Sequence, residues 1–472
     1  MTRIFKLGLT KTQAEYSDLN LPVKGSIPSW LSGTLFRNGP GTFELAHERY
    51  RHWFDGLAML HKFVIADGRV TYSNRFLSCA AYNEAMATGR VRYSEFATDP
   101  TRSRLGKIFA VFDQRITDSA KVNLTKIAGK YLALGETSKQ LEFDPKTMNT
   151  LGVFYYEKKY QQHITTVHPQ FDFNDTTVYQ LVTRFGRLSH YRFIRIFADG
   201  RTEVVGEIPV SQPSYMHSFG LSPRYLILTE YPLVVQPLAL LFQIKPFIEN
   251  FKWQPQRGTA FHIMDRSSGQ VIARIKTDPF FAFHHINAWE QGDELVVDLN
   301  GYPDADVIKA FYLDRMKQPD YEIPFGDLRR YRIDLKTKTI RQEILSDECL
   351  ELSHFDYQRY QFNGNYRFVY GVSINKKKRQ GFYNQLVKFD LQGGRTKTWF
   401  EDHSYPGEPI FVGMPYRTRE DDGVLLSVIL DEQAERSYLL ILDAESMQEI
   451  GRAEVPQAIL FGYHGAFFGK IF

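Results

Sequence analysis

Cysteine is almost missing from this chain: 472 residues hold two, Cys79 and Cys349. Neither stands in a CxxC pair, so at most one bridge can form, which excludes a disulfide-built scaffold and suits a reducing compartment. An excess of one charge is missing too. Lys plus Arg outnumber Asp plus Glu by only 58 to 54, a net +4, and so give no electrostatic case for a nucleic-acid partner. The opening segment MTRIFKLGLTKTQAEYSDLN has no apolar run of the secretory kind, and the cytoplasm is the expected location. No HExxH, GxGxxG, Walker loop or GxSxG occurs, so metalloprotease, dinucleotide, P-loop and serine-hydrolase readings have no support. Helical periodicity is scarce. Aromatic residues are what the chain has in abundance, with Phe 37 and Tyr 27 bringing the aromatic share to 15%. Packing seldom calls for so many, and a large apolar cavity is one use for them.

Short runs of alternating β-branched and aromatic residues fill most of the sequence, the signature of strands. Several share one form: a strand ends at an Asp, polar turn residues follow, and a second strand returns, as in FHIMDRSSGQVIARI and LLILDAESMQEIGRAEV. The turn residues are Asp67, Asp144, Asp199, Asp265, Asp334, Asp390 and Asp443, and an Asp carboxylate can accept from backbone amides two or three residues on. Copies recur about every 50 to 75 residues, which predicts an all-β fold, a seven-bladed β-propeller. All of 1–472 is read as one propeller domain with two insertions capping one face. One lies near 79–120, with helix-compatible pieces at YNEAMATG and SRLGKIFAVFD. The other, near 232–253, is strongly apolar and broken by Pro237 and Pro246, too short between breaks to span a bilayer. It could lie in a membrane surface or pack over the propeller. The surface-lying reading is preferred, with Leu240, Leu241 and Phe242 as the entry for an apolar substrate and lipid contact that is peripheral.

Four of the 13 histidines occupy one place in the repeat. His168, His217, His284 and His464 follow their turn aspartates by 18 to 24 residues, where the chain returns to begin the next inner strand. Inner strands surround a propeller's axis, so four imidazoles converge there as a candidate metal site. Glu351 and Glu408 follow their own turn aspartates by 17 and 18 residues. Together with Glu136, at the end of the strand in YLALGETS, they are placed to accept from the outer ring N–H of metal-bound histidines. Four neutral nitrogens suit neither calcium nor a thiolate-type zinc site; imidazole suits iron, copper, zinc or nickel. A rival ligand pair, His354 with Asp356, is set aside as a spacing expected by chance in a chain with 54 acidic residues.

The stretches GTLFRNGPG, HWFDGLAML, TTVHPQFD, YMHSFGLS, FFAFHHINAWE, ELSHFDYQRY, GEPIFV, EDDGVLLSVIL and YHGAFF resemble the carotenoid cleavage oxygenase family over essentially the whole chain. The resemblance implies a seven-bladed propeller, a non-haem Fe(2+) on His168, His217, His284 and His464, and O₂-dependent cleavage of a polyene double bond into two carbonyl products. It makes His284, rather than His285, the ligand in FHHINAWE, and it puts Glu136, Glu351 and Glu408 beside the ligand rings. The stretches VNL at 122–124, YMHSFGLS and ELSHFDYQRY look closer to the branch holding animal β-carotene oxygenases and the retinoid isomerase than to plant members. Lys121 departs from the Asn or small residue common there, and ELS departs from the frequent EFP, which bears on regiospecificity rather than on iron. The expected substrate is a carotenoid or apocarotenoid. The alternatives are a non-cleaving retinoid isomerase and a propeller that only binds a ligand.

Overall fold

The computed structural model describes residues 6–11, 14–101, 115–156, 163–241, 245–379 and 381–472. Among the described residues, seven antiparallel sheets are arranged as the blades of a propeller, and one further two-stranded sheet lies outside them. Six of the seven inner positions are filled in chain order. The ring is closed by the chain ends: Gly465–Phe468 supplies the inner strand of the first blade, pairing with Gly33–Thr42, and Val23–Gly25 supplies the outermost strand of the last, pairing with Glu449–Glu454.

The hairpin aspartates do what their side chains allow. Asp265 Oδ1 accepts from the amides of Ser267 and Ser268 at 3.0 and 2.8 Å, and Asp334 Oδ1 accepts from Lys336 and Thr337 at 2.9 and 2.8 Å. In five of these turns the residue four places after the Asp has positive φ: Met148, Gly269, Lys338, Gly394 and Met447. A left-handed residue closing a type I turn gives the strands the twist a hairpin needs. The Asp67–Gly68 turn takes the tighter form, with both residues at positive φ, 50° and 72°.

Burial falls from the middle of each blade to its rim. Thr177–Arg184 is buried at every residue but the last, whereas the rim strand Arg395–Phe400 buries only Trp399. The core is a series of wedges between neighbouring blades. Phe36 and Leu60 meet Leu141 and Phe143 between the first two, and Leu35 and Phe63 meet Leu426 and Leu439 where the last blade meets the first. Cys79 and Cys349 are free and buried.

Both expected insertions depart from the blades. In the first, Ala80–Thr88 is a helix that starts on the Cys79 side chain and stops at Gly89, whose φ of 65° only glycine adopts without strain. The piece SRLGKIFAVFD, at 103–113, lies outside the described residues. In the second, Leu233–Val234 pairs with Lys252–Trp253, Pro237–Leu241 is a short helix, and Phe247–Asn250 is a 3-10 turn. Its ends pack over the propeller and its middle is more exposed. Leu233, Val234, Val235, Ile248 and Phe251 are buried, while Leu238 is 65% exposed and Leu240 is partly buried against the core. Phe242 lies outside the described residues. Among the described residues no helix is long and apolar enough to cross a membrane.

Candidate metal centre and its cavity

Each of the four histidines sits in or just before an inner strand. His168 lies between the bridges at Ile164–Thr165 and Gln170–Asp172, His217 precedes Gly220–Leu221, His284 precedes His285–Gln291, and His464 precedes Gly465–Phe468. Inner strands converge on the axis, so four chain-distant rings become neighbours. One ring nitrogen from each lies within 4.8 Å of the others. The His168 ring meets those of His284 and His464 edge to face, at centroid separations of 4.8 and 4.5 Å.

The three glutamates account for the ring orientations. Glu136 Oε1 lies 2.7 Å from His217 Nδ1, Glu351 Oε2 lies 2.5 Å from His284 Nδ1, and Glu408 Oε1 lies 2.7 Å from His464 Nδ1. A carboxylate accepts there from Nδ1–H, which leaves the Nε2 lone pair facing the axis. The fourth ring has no carboxylate. His168 Nδ1 is 3.5 Å from the Asn123 carboxamide, and its Nε2 is buried with no hydrogen-bond partner among the described residues. A buried imidazole nitrogen left unpaired is costly unless a cation fills the gap. Burial holds His168 well below the ordinary histidine pKa and brings His464 down to about 4, so both rings are neutral near pH 7, as ligation requires. The donor set and its charge state fit a divalent transition metal.

His285 turns away from the axis. Its Nδ1 meets the Ser218 hydroxyl and its Nε2 the Thr229 hydroxyl, each at 2.8 Å, so neither nitrogen is free to ligate. Asp356 of the rival pair is engaged with Arg417. Several supporting residues escaped the sequence reading. Arg37 donates to Glu408 Oε2 at 2.9 Å and to the Tyr463 carbonyl, and the Tyr215 hydroxyl donates to Glu136 at 2.5 Å. Burial opposes ionisation of Glu408, yet His464 and Arg37 outweigh it and hold the carboxyl below its usual range. Arg37 had a legible signal: a lone cation in the otherwise uncharged strand GTLFRNGPGT, buried at every residue, must meet a carboxylate.

A cavity of about 840 Å³ opens over the centre, with His217, His284 and His464 in its wall. Aromatic rings dominate the neighbourhood of the histidines: Trp53, Phe54, Phe283, Phe311 and Tyr463. The motif HWFDG explains two of them. His52 Nδ1 accepts from the Phe54 amide at 3.0 Å, capping the 3-10 turn Trp53–Asp55, while its Nε2 donates to the Ile308 carbonyl at 2.8 Å. That turn points Phe54 at His217, their rings stacked with centroids 6.4 Å apart. Leu238 and Leu240 line the cavity as well, so the apolar insertion stands at its edge.

Comparison with known proteins follows the same lines. The family model described as retinal pigment epithelial membrane protein matches residues 9–469. The mitochondrial carotenoid-cleaving dioxygenase of Macaca fascicularis is 32% identical, over 97% of this chain and 93% of that protein. The beta,beta-carotene 15,15'-dioxygenase of Homo sapiens is 31% identical, over 94% of this chain and 91% of its own length. Among solved structures, cobalt-substituted Synechocystis ACO superposes with a TM-score of 0.88 at 26% identity, covering 98% of both chains. A variant of Synechocystis apocarotenoid oxygenase gives a TM-score of 0.88 at 25% identity, over 99% of this chain and 100% of that one.

Proposed function

Because the chain belongs to the carotenoid cleavage oxygenase family, we propose that it is an iron-dependent dioxygenase cleaving one conjugated double bond of a carotenoid or apocarotenoid into two carbonyl products. The observation that carries this reading is the joining of two features in one place. Four imidazoles converge on the axis, and the three of them held by carboxylates stand in the wall of an aromatic-lined cavity large enough for a polyene.

The ferrous ion would be held by Nε2 of His168, His217, His284 and His464, and when bound it supplies a redox-active centre for reaction with O₂. The remaining work falls to the chain. Glu136, Glu351 and Glu408 hold three rings in one tautomer and raise their basicity. Phe54, Phe283, Phe311 and Trp53 exclude water and place the rod-like substrate, so that the bond lying over the centre is the one cut. Adding both atoms of O₂ across a carbon–carbon double bond and splitting it balances without a side-chain nucleophile or acid. The phenol of Tyr463, the polar group closest in sequence to His464, donates to the Trp53 carbonyl and is thereby tied to the cavity wall. Substrate this apolar travels in lipid. The exposed Leu238 and the neighbouring Leu240 support peripheral contact of the cavity mouth with a membrane surface.

The test is anaerobic reconstitution with Fe(II), addition of a carotenoid panel, then admission of ¹⁸O₂ with mass spectrometry of the products. One O₂ consumed per substrate and label in both carbonyls before exchange is the expected result. No O₂ uptake with any carotenoid, together with isomerisation of a retinyl ester supplied in the same panel, would overturn it.

A further inference from the structure

One wall of the cavity does not suit a hydrocarbon. Glu95 and Lys121 both line it, and their side chains are 1% and 4% exposed. Lys121 Nζ donates to Glu95 Oε2 at 2.6 Å and to the Asp55 carbonyl at 3.3 Å. An ammonium has three N–H donors, so one remains after these two bonds. Glu95 Oε1 is buried with no partner at hydrogen-bond geometry among the described residues, although the Thr117 hydroxyl stands close enough to favour the ionised form. The Ser94 hydroxyl, in the same wall, is also buried without a partner among those residues. Burial lifts the Glu95 carboxyl to about 7 against the pull of Lys121.

The wall is built rather than incidental. Ser94 is tied to the strand-like stretch around Thr117 by the Thr117 amide to Ser94 carbonyl bond at 3.1 Å, and the Glu95 amide donates to Thr98 at 2.8 Å. Asp55 anchors the other side by accepting from the Ala97 amide at 2.8 Å and the Thr98 hydroxyl at 2.5 Å. A buried ion pair is poor evidence for stability, since well-packed apolar residues often do as well. Here the pair also leaves one ammonium N–H without a partner among the described residues, beside a carboxylate oxygen that the Thr117 hydroxyl approaches outside hydrogen-bond geometry. One group satisfies both: a hydroxyl, which accepts from Lys121 and donates to Glu95 Oε1. A bare hydrocarbon end satisfies neither.

We propose that Lys121 and Glu95 form a hydroxyl-binding subsite, so that the substrate class is a polyene carrying an alcohol on one end rather than an unsubstituted one. This deepens the dioxygenase reading and rests on it for the identification of the polyene.

The experiment compares β-carotene with zeaxanthin, which has the same polyene and rings with a hydroxyl on each ring. Binding is read by quenching of tryptophan fluorescence in the iron-loaded protein without O₂, cleavage by product formation after O₂ is admitted. Hydrogen bonding to two charged groups should favour zeaxanthin about 10- to 100-fold in both Kd and kcat/KM. The double variant Lys121→Met/Glu95→Leu removes both charges together and should bring the ratio near one, which a merely structural role for the pair would not do. If that variant does not fold, the dimethyl ether of zeaxanthin, which cannot donate to Glu95, decides with the unaltered protein by binding about tenfold more weakly than the diol. Equal affinity for diol and hydrocarbon, or a ratio that survives the double variant, overturns the subsite. Cleavage without preference leaves the dioxygenase reading standing alone; preference in binding without cleavage leaves the subsite and removes the dioxygenase.

Discussion

Three imidazoles on the axis owe their orientation to one carboxylate oxygen each, and the fourth does without. That difference makes the glutamates separable from the ligands by mutation. In Glu351→Gln the amide can still fill the space but no longer carries the charge that makes His284 a stronger base. Metal affinity should fall about 10- to 100-fold, read by competition with a chelator, while the fold is unchanged. Affinity equal to that of the unaltered protein would leave Glu351 as a packing group. Glu408 differs in kind, because Arg37 shares it and both are buried. Removing Arg37 would strand a carboxylate in the core, at a cost of about 3 to 5 kcal/mol, and would report on stability before it reported on the metal.

At the scale of elements, the apolar insertion shows how one segment divides its work. Its ends are pinned by the Leu233–Val234 to Lys252–Trp253 ladder and by burial of Ile248 and Phe251, so they belong to the core. Its middle, the helix Pro237–Leu241, projects Leu238 outward at the cavity edge. The proline at the head of that helix breaks the periodicity by which a buried helix would be recognised. Leu238→Ser should reduce co-sedimentation with liposomes and raise the apparent KM for a carotenoid supplied in them, at little cost in melting temperature, because an exposed leucine contributes little to folding. A large drop in melting temperature with liposome binding intact would return the helix to the core. The closing strands are the opposite case. Gly465–Phe468 follows His464 directly, so the element that shuts the ring also delivers a ligand to its axis.

For the whole molecule, most of the core is apolar wedges between blades that are built without the four ligand rings, although the largest of the clusters reaches the axis through Phe283 and Tyr463. Stripping the metal with a chelator should therefore leave the β-rich circular dichroism and a cooperative melt, with a melting temperature lowered only by the loss of ligand binding. His464→Ala should lose the metal and behave likewise. A metal-free chain that melts without cooperativity would make the centre a folding element. The propeller, the turn aspartates and the residues brought together at the candidate centre were legible in the sequence, because a repeat imposes period and position on most of the residues that serve it: His168 and His464, far apart in the chain, follow their turn aspartates by 24 and 21 residues, and Glu136 is marked by its place at a strand end. Asn123, Glu95 and the aromatic wall were not, and of Arg37 the sequence shows only that a buried cation needs a carboxylate. Their partners lie in other blades or in the insertion, and no local pattern records which carboxylate a distant cation will meet or which rings will face a cavity. Sequence alone determined the blade and the axis, since both follow from hydrogen bonding and side-chain alternation within each repeat. Tertiary structure alone decided what surrounds the axis, since burial in a cavity wall depends on how separate blades and the insertion pack against one another.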